Sequence, residues 1–122
     1  MATTTIGLGN AIGATIREDT DLNATSENDI AAGAATVHEV YIDNSANASA
    51  ASYLKMWDSA APTVGTTAPE FVIRARGGTI TKVYMTPGLG HAMTNLSIAG
   101  TTAGGTGGTT GPTSDVVARI RI

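Results

Sequence analysis

Apolar positions follow two regimes along the chain. From Met1 to about Asp29 they stand singly (Ile6, Leu8, Ile12, Ile16, Leu22) among Gly, Thr and Asn, with neither the every-second spacing of a strand nor the stripe of a helix. Residues 1–29 therefore read as an extended N-terminal arm in front of a domain formed by 30–122. Ser26-Glu27-Asn28-Asp29 matches a capping box and Ile30 to Ala35 is alanine-rich, so a short helix is a minority reading, weakened by Gly33 and the β-rich sequence that follows.

From Val37 onward the pattern changes to strand chemistry. Val37 to Ile42 is β-branched and aromatic and ends at Asp43-Asn44-Ser45. Ser52 to Trp57 alternates, with Leu54 and Met56 on one face and Tyr53, Lys55 and Trp57 on the other. Residues 70–75 and 79–84 flank Gly77-Gly78, whose freedom at positive φ predicts a two-residue hairpin. Thr86-Pro87-Gly88 predicts a type II turn, with a strand around Ala92–Ile98 after it. The run 100–111 has almost no side chain to bury and predicts a long mobile loop. The last strand sets Val116, Ala118, Ile120 and Ile122 against Val117, Arg119 and Arg121. Short strands joined by turns predict an all-β fold, a small antiparallel β-sandwich or jelly-roll-like barrel carrying the arm.

Composition sharpens this picture. The 122 residues suffice for one domain. Alanine and threonine occur 20 times each and glycine 15 times, while Ile, Leu, Val and Phe together number 23. So thin an apolar supply sits near the lower edge for a globular core, yet net charge is only −3, unlike the high charge of disordered chains. A folded domain whose burial is completed by neighbouring copies accounts for both, and a homo-oligomer is expected.

Charge narrows the partners. A pI near 5.1 offers no basic footprint for nucleic acid. No basic leader region and no run of about 18 apolar residues is present, so synthesis in a cytoplasm, solubility and no membrane contact are expected. Residues 1–43 hold seven acids and one base, the remainder three acids and six bases. Glu18, Asp19, Asp21, Glu27 and Asp29 are thus expected to meet Lys55, Arg74, Arg76, Lys82, Arg119 and Arg121 on another copy. Ile6, Leu8, Ile12, Ile16 and Leu22 are expected to fill pockets on a partner.

Candidate chemistry is sparse. Cysteine is absent, and His38 and His91 have no Gly-x-Ser-x-Gly or His-Glu-x-x-His motif beside them, so no enzyme and no cofactor is expected. Asp19-Thr-Asp21-Leu-Asn23 begins like a calcium loop, but Ala24 stands at the glycine position and Ile30 where the bidentate acid belongs; no metal is expected. Arg76-Gly77-Gly78 is a turn rather than an RNA-binding repeat. The three Asn-x-Ser/Thr matches, at Asn23, Asn47 and Asn95, are the chance yield of a Thr/Ser-rich chain. Tyr53 and Trp57, on one strand face, suit either a sugar-stacking platform or core and subunit contacts, with the second favoured because the chain has only five aromatic residues.

The stretch from Tyr53 to Pro69, Tyr-Leu-Lys-Met-Trp-Asp-Ser-Ala-Ala-Pro-Thr-Val-Gly-Thr-Thr-Ala-Pro, resembles a pattern carried by small virion structural proteins of tailed phages. In these a Tyr-x-Lys-x-aromatic strand leads into a Pro-Thr-Val-Gly-Thr loop, then a hairpin, a Gly-Leu-Gly turn and a Thr/Gly-rich loop before the final strand. The later parts correspond here to 71–84, Gly88-Leu89-Gly90 and 100–111, so the likeness covers about residues 36–122. It implies a β-sandwich-like fold and a capsid decoration (cement) role on the virion head surface. The major capsid protein and further copies of the chain would be its partners, with a homotrimer over capsid junctions and Tyr53, Trp57, Arg119 and Arg121 as oligomer contacts. The alternative is a tail or fibre component, or a carbohydrate-binding module, that holds host glycan through Tyr53 and Trp57.

Overall fold

The computed structural model describes residues 3–7, 15–85 and 89–122. These hold ten strands: β1 (Thr3–Gly7), β2 (Thr15–Asp19), β3 (Ala35–Val37), β4 (Glu39–Asp43), β5 (Ser52–Asp58), β6 (Phe71–Ala75), β7 (Ile80–Tyr84), β8 (His91–Met93), β9 (Leu96–Thr101) and β10 (Val117–Arg121). A five-stranded sheet runs β1-β2-β10-β4-β7, a three-stranded sheet β6-β5-β9, and β3 pairs β8 alone. All pairs are antiparallel and neither large sheet closes on itself, so the chain is a small all-β fold with open sheets.

The core lies between the two large sheets. Val40, Ile42, Ala118 and Ile120 project from the five-stranded sheet onto Leu54, Met56, Leu96 and Ile98 of the other, and Val37, Met85, Met93 and Leu22 close its margins. The alternation in β10 is the one expected: Val116, Ala118 and Ile120 are fully buried, and Arg119 and Arg121 lie on the opposite face. Every residue of β9 is buried, because the outer face of the three-stranded sheet is itself covered by the segments 59–69 and 101–113.

Several expectations are corrected. The described part of the segment 1–29 is no arm standing apart from the sandwich. Its residues 15–19 form β2, paired to the central strand β10, and Leu22 is in the core. Its stretch 23–30 covers the free edge of β9 through hydrogen bonds from Gly100 to Asn23, between Glu27 and Ile98 in both directions, and from Ile30 to Leu96. Single, scattered apolar residues suffice there because β2 turns Arg17 and Asp19, not apolar side chains, to the inner side in register with Ile120 and Ala118, and of Ile6, Ile16 and Leu22 only Leu22 belongs to the core. The minority helix at 30–35 is instead a turn. Asp29 and Ala32 take φ of 47° and 54°, and the Asp29 side chain accepts the Gly33 N–H.

Gly77-Gly78 forms a turn, but β6 and β7 do not pair with each other: they enter different sheets. The reason is the close approach of the 44–50 loop. Gly78 N–H reaches the carbonyls of Asn44 and Asn47, and a Cβ on Gly77 would sit 2.8 Å from Asn47 O and 2.7 Å from Ala50 N. The strand expected around Ala92–Ile98 is split into β8 and β9 at Thr94 and Asn95, whose N–H groups both donate to Asp58 Oδ1. The run 100–111 is a packed cover rather than a free loop, held from below by Lys55. The expected type II turn at Thr86-Pro87-Gly88 lies outside the described residues.

Candidate functional site: the outer face of the five-stranded sheet

Strand register assembles one broad face. Residues alternate with the buried set along each strand, so Ile6, Ile16, Arg121, Glu39 and Tyr84 form one row across β1-β2-β10-β4-β7. Thr4, Glu18, Arg119, Tyr41 and Lys82 form the next, and Val117, Asp43 and Ile80 the third. The sequence places Glu39, Tyr41 and Asp43 there by simple alternation with Val40 and Ile42, which must face the core.

Tyr41 is the centre of the face. The Arg119 guanidinium lies 4.9 Å from its ring centroid and the Lys82 ammonium 6.0 Å, cation–π contacts on either side. Arg119 Nε donates to Glu18 Oε2 at 2.5 Å, a bond that pushes the guanidinium pKa still higher. Arg121 Nη2 lies 3.5 Å from Glu39 Oε2. Ile16, Glu39, Tyr41, Lys82, Arg119 and Arg121 line a shallow depression of about 200 Å³, too open to enclose a small substrate. At the rim of the face, Ile6, Ile80 and Tyr84 are 39%, 54% and 65% exposed. Asp43, at the end of β4, accepts the Ser45 N–H and hydroxyl and is held below the usual carboxylate range.

The predicted contact residues divide sharply. Ile6, Ile16 and Glu18 come together on this face with Arg119 and Arg121. Leu22 is instead core, and Leu8 and Ile12 lie outside the described residues. Asp19 points inward and is fully buried, its Oδ1 accepting the Asp21 N–H and its Oδ2 without a partner; loss of water pushes its pKa to about 7. The pairing of the N-terminal acids with the C-terminal bases is met within one chain by Glu18 and Arg119, as adjacent strands make it.

Tyr53 and Trp57 do not form an open platform. Trp57 is buried and its Nε1 donates to Thr67 O, while the Tyr53 ring packs where a Cβ on Gly104 would stand. Between them Lys55, fully buried, donates to Gly105 O at 2.7 Å and Gly108 O at 2.9 Å, and loss of water holds its pKa below the ordinary amine range. Sugar stacking on Tyr53 and Trp57, and Trp57 as a subunit contact, are therefore corrected: loops 59–69 and 101–113 occupy that face.

The calcium-like spacing also has a local explanation. Asp19 Oδ1 accepts the N–H two residues on, Asn23 Oδ1 that of Thr25, and Asn23 Nδ2 donates to Asp21 O, so these side chains build turns. Among the described residues no group of three His, Asp or Glu is placed to hold a metal, and no helix is long and apolar enough to cross a membrane. His91 bonds Glu70 Oε1 at 3.0 Å and meets Phe71 edge-on at 4.7 Å.

Alternation alone identifies Glu39, Tyr41, Lys82 and Tyr84 as outward residues, but only strand order shows that they adjoin Arg119 and Arg121. Comparison with family models, with curated proteins and with solved structures returns no match.

Proposed function

We propose that the chain is a non-enzymatic virion structural protein that decorates the head of a tailed phage. In this reading it binds the major capsid protein on the outer surface, bridges capsid subunits and acts as a homo-oligomer. The observation that carries the reading is the outer face of the five-stranded sheet. It is broad and shallow, interleaves both signs of charge around Tyr41, and is rimmed by exposed Ile6, Ile80 and Tyr84. Such a mixture suits contact with another protein surface, where charge sets register and apolar side chains supply burial. The likeness of Tyr53–Pro69 to small tailed-phage virion proteins supplies the setting.

The test is reconstitution. Purified chain added to heads stripped of it should co-sediment with them and raise their resistance to heat. Heads that neither bind the chain nor gain resistance would refute the capsid role.

A further inference from the structure

We propose that the outer face of the five-stranded sheet pairs with the same face of a second copy, about a two-fold axis that runs along the strands between β10 and β4. Rotation about that axis lays β10 on β4 of the second copy and β2 on β7, while each residue row faces itself. Arg121 then meets Glu39, Arg119 meets the Tyr41 ring, Glu18 meets Lys82, and Ile16 meets Tyr84, each contact occurring twice. An isologous interface demands this self-complementarity. An axis over β10 instead sets Arg119 on Arg119 and Arg121 on Arg121, and an axis over β4 sets Glu39 on Glu39; an axis between β2 and β10 matches Glu18 with Arg119 but leaves Lys82 and Tyr84 of β7 outside the contact.

The intrachain contacts already rehearse the match. Arg119 bonds Glu18 and lies over Tyr41, and Arg121 stands beside Glu39, across neighbouring strands. Lys82 has its cation–π contact but no carboxylate partner among the described residues, and pairing provides one in Glu18. Two aligned sheets pack about 10 Å apart, a gap that these long side chains span.

Size sets the strength. Four strands spaced about 4.8 Å apart, five residues long at about 3.4 Å each, cover roughly 330 Å² of sheet. That is below the ~800 Å² per partner of a standard interface, so the pair is weak and salt-sensitive, and gains strength where many copies are held side by side. The inference deepens the self-association part of the function proposed above. Its test uses no capsid, so its failure leaves head binding standing and the converse also holds.

Sedimentation of the full chain from micromolar to millimolar concentration should show a monomer–dimer equilibrium that high salt shifts toward monomer. Lys82→Glu turns both Glu18 contacts into like-charge pairs and should weaken the dimer at least about tenfold. Glu18→Lys should do the same, and the double variant Glu18→Lys/Lys82→Glu should recover most of the loss. Because Glu18 also serves Arg119, Tyr84→Asp, at an exposed rim position, is the second single variant and should weaken the dimer if circular dichroism shows Glu18→Lys misfolded. A chain that stays monomeric at millimolar concentration, a trimer, or unchanged association in Lys82→Glu and Tyr84→Asp would overturn the pairing.

Discussion

Asn44 shows how much of this fold rests on single polar side chains. Its Nδ2 donates to the carbonyls of Ala50, Ala75 and Arg76, and its Oδ1 accepts from Asn47 and Ser52, all at a fully buried position. Asn47 carries the linkage on to Ser114, donating to its carbonyl and accepting its N–H. The hub thus ties the 44–50 loop to the β6–β7 turn and to the approach to β10. Asn44→Ala would strand several buried groups at once, and a loss of about 2–4 kcal/mol in urea unfolding is expected. Asp19 works in the opposite sense. Burial raises its folded pKa from 3.8 to about 7, with Asp21 and Glu27 adding to the effect, so the unfolded chain gives up this proton first as pH rises. The folded state then holds more protons, and stability from this group falls between about pH 4 and pH 7. Asp19→Asn keeps the acceptor for the Asp21 N–H and should flatten that slope, melting higher than the parent at pH 7.5 and close to it at pH 4.

Among the elements, β10 is the central strand by topology although last in the chain. It bridges β2 and β4, and beyond it Ile122 exchanges backbone hydrogen bonds with Thr15 in both directions. Removing 120–122 deletes buried Ile120 and half of a central ladder, so loss of a cooperative melt is expected. Deleting 1–29 should also unfold the domain, since it removes β2, Leu22 and the cover on β9. A deletion variant that melted like the parent would contradict the strand order. Lys55 governs a different element: Lys55→Met keeps the stem packed but removes both bonds to the 101–111 cover. Faster amide exchange confined to that cover is expected, with β5 and β9 unchanged.

Strands with alternation were legible: β5 and β10 stand where the pattern puts them, whereas the run expected as one strand over Val37–Ile42 is broken at His38 into β3, which pairs β8, and β4, which enters the five-stranded sheet. The N-terminal strands were not, because β2 carries Arg17, Glu18 and Asp19 and uses hydrogen bonds to β10 more than apolar burial. Nor does local sequence say that a Gly-Gly turn switches sheets, since the loop that forces the switch comes from residues 44–50. Tyr53 and Trp57 misled for a related reason: a strand exposed in a two-layer picture is covered here by a third layer of loops. The outward face around Tyr41 was half legible, its members predictable strand by strand but their neighbours set only by the order β1-β2-β10-β4-β7.

At the scale of the whole molecule, a small set of buried aliphatics supplemented by Met56, Met85, Met93 and Trp57 holds together a sandwich whose described residues are about half loop. Buried, bonded polar groups (Asn44, Asn47, Ser52, Lys55, Ser97) fill positions that larger proteins give to aliphatics. Satisfied networks of this kind fix one arrangement of loops and sheets, which suits a part that must present the same surface in every copy. Among the described residues the depressions at the sheet face, at 34–36 with 92–94, and at 46–50 with 113–114 are all open, and the proposed function places the sheet face in repeated contact with neighbours on a particle. Quantifying the chain against the major capsid protein in purified tailed-phage virions tests this proposal most directly. A head decoration role predicts copies on the scale of the capsid protein itself, all released when heads are stripped; a handful of copies per particle, fractionating with tails, would contradict it.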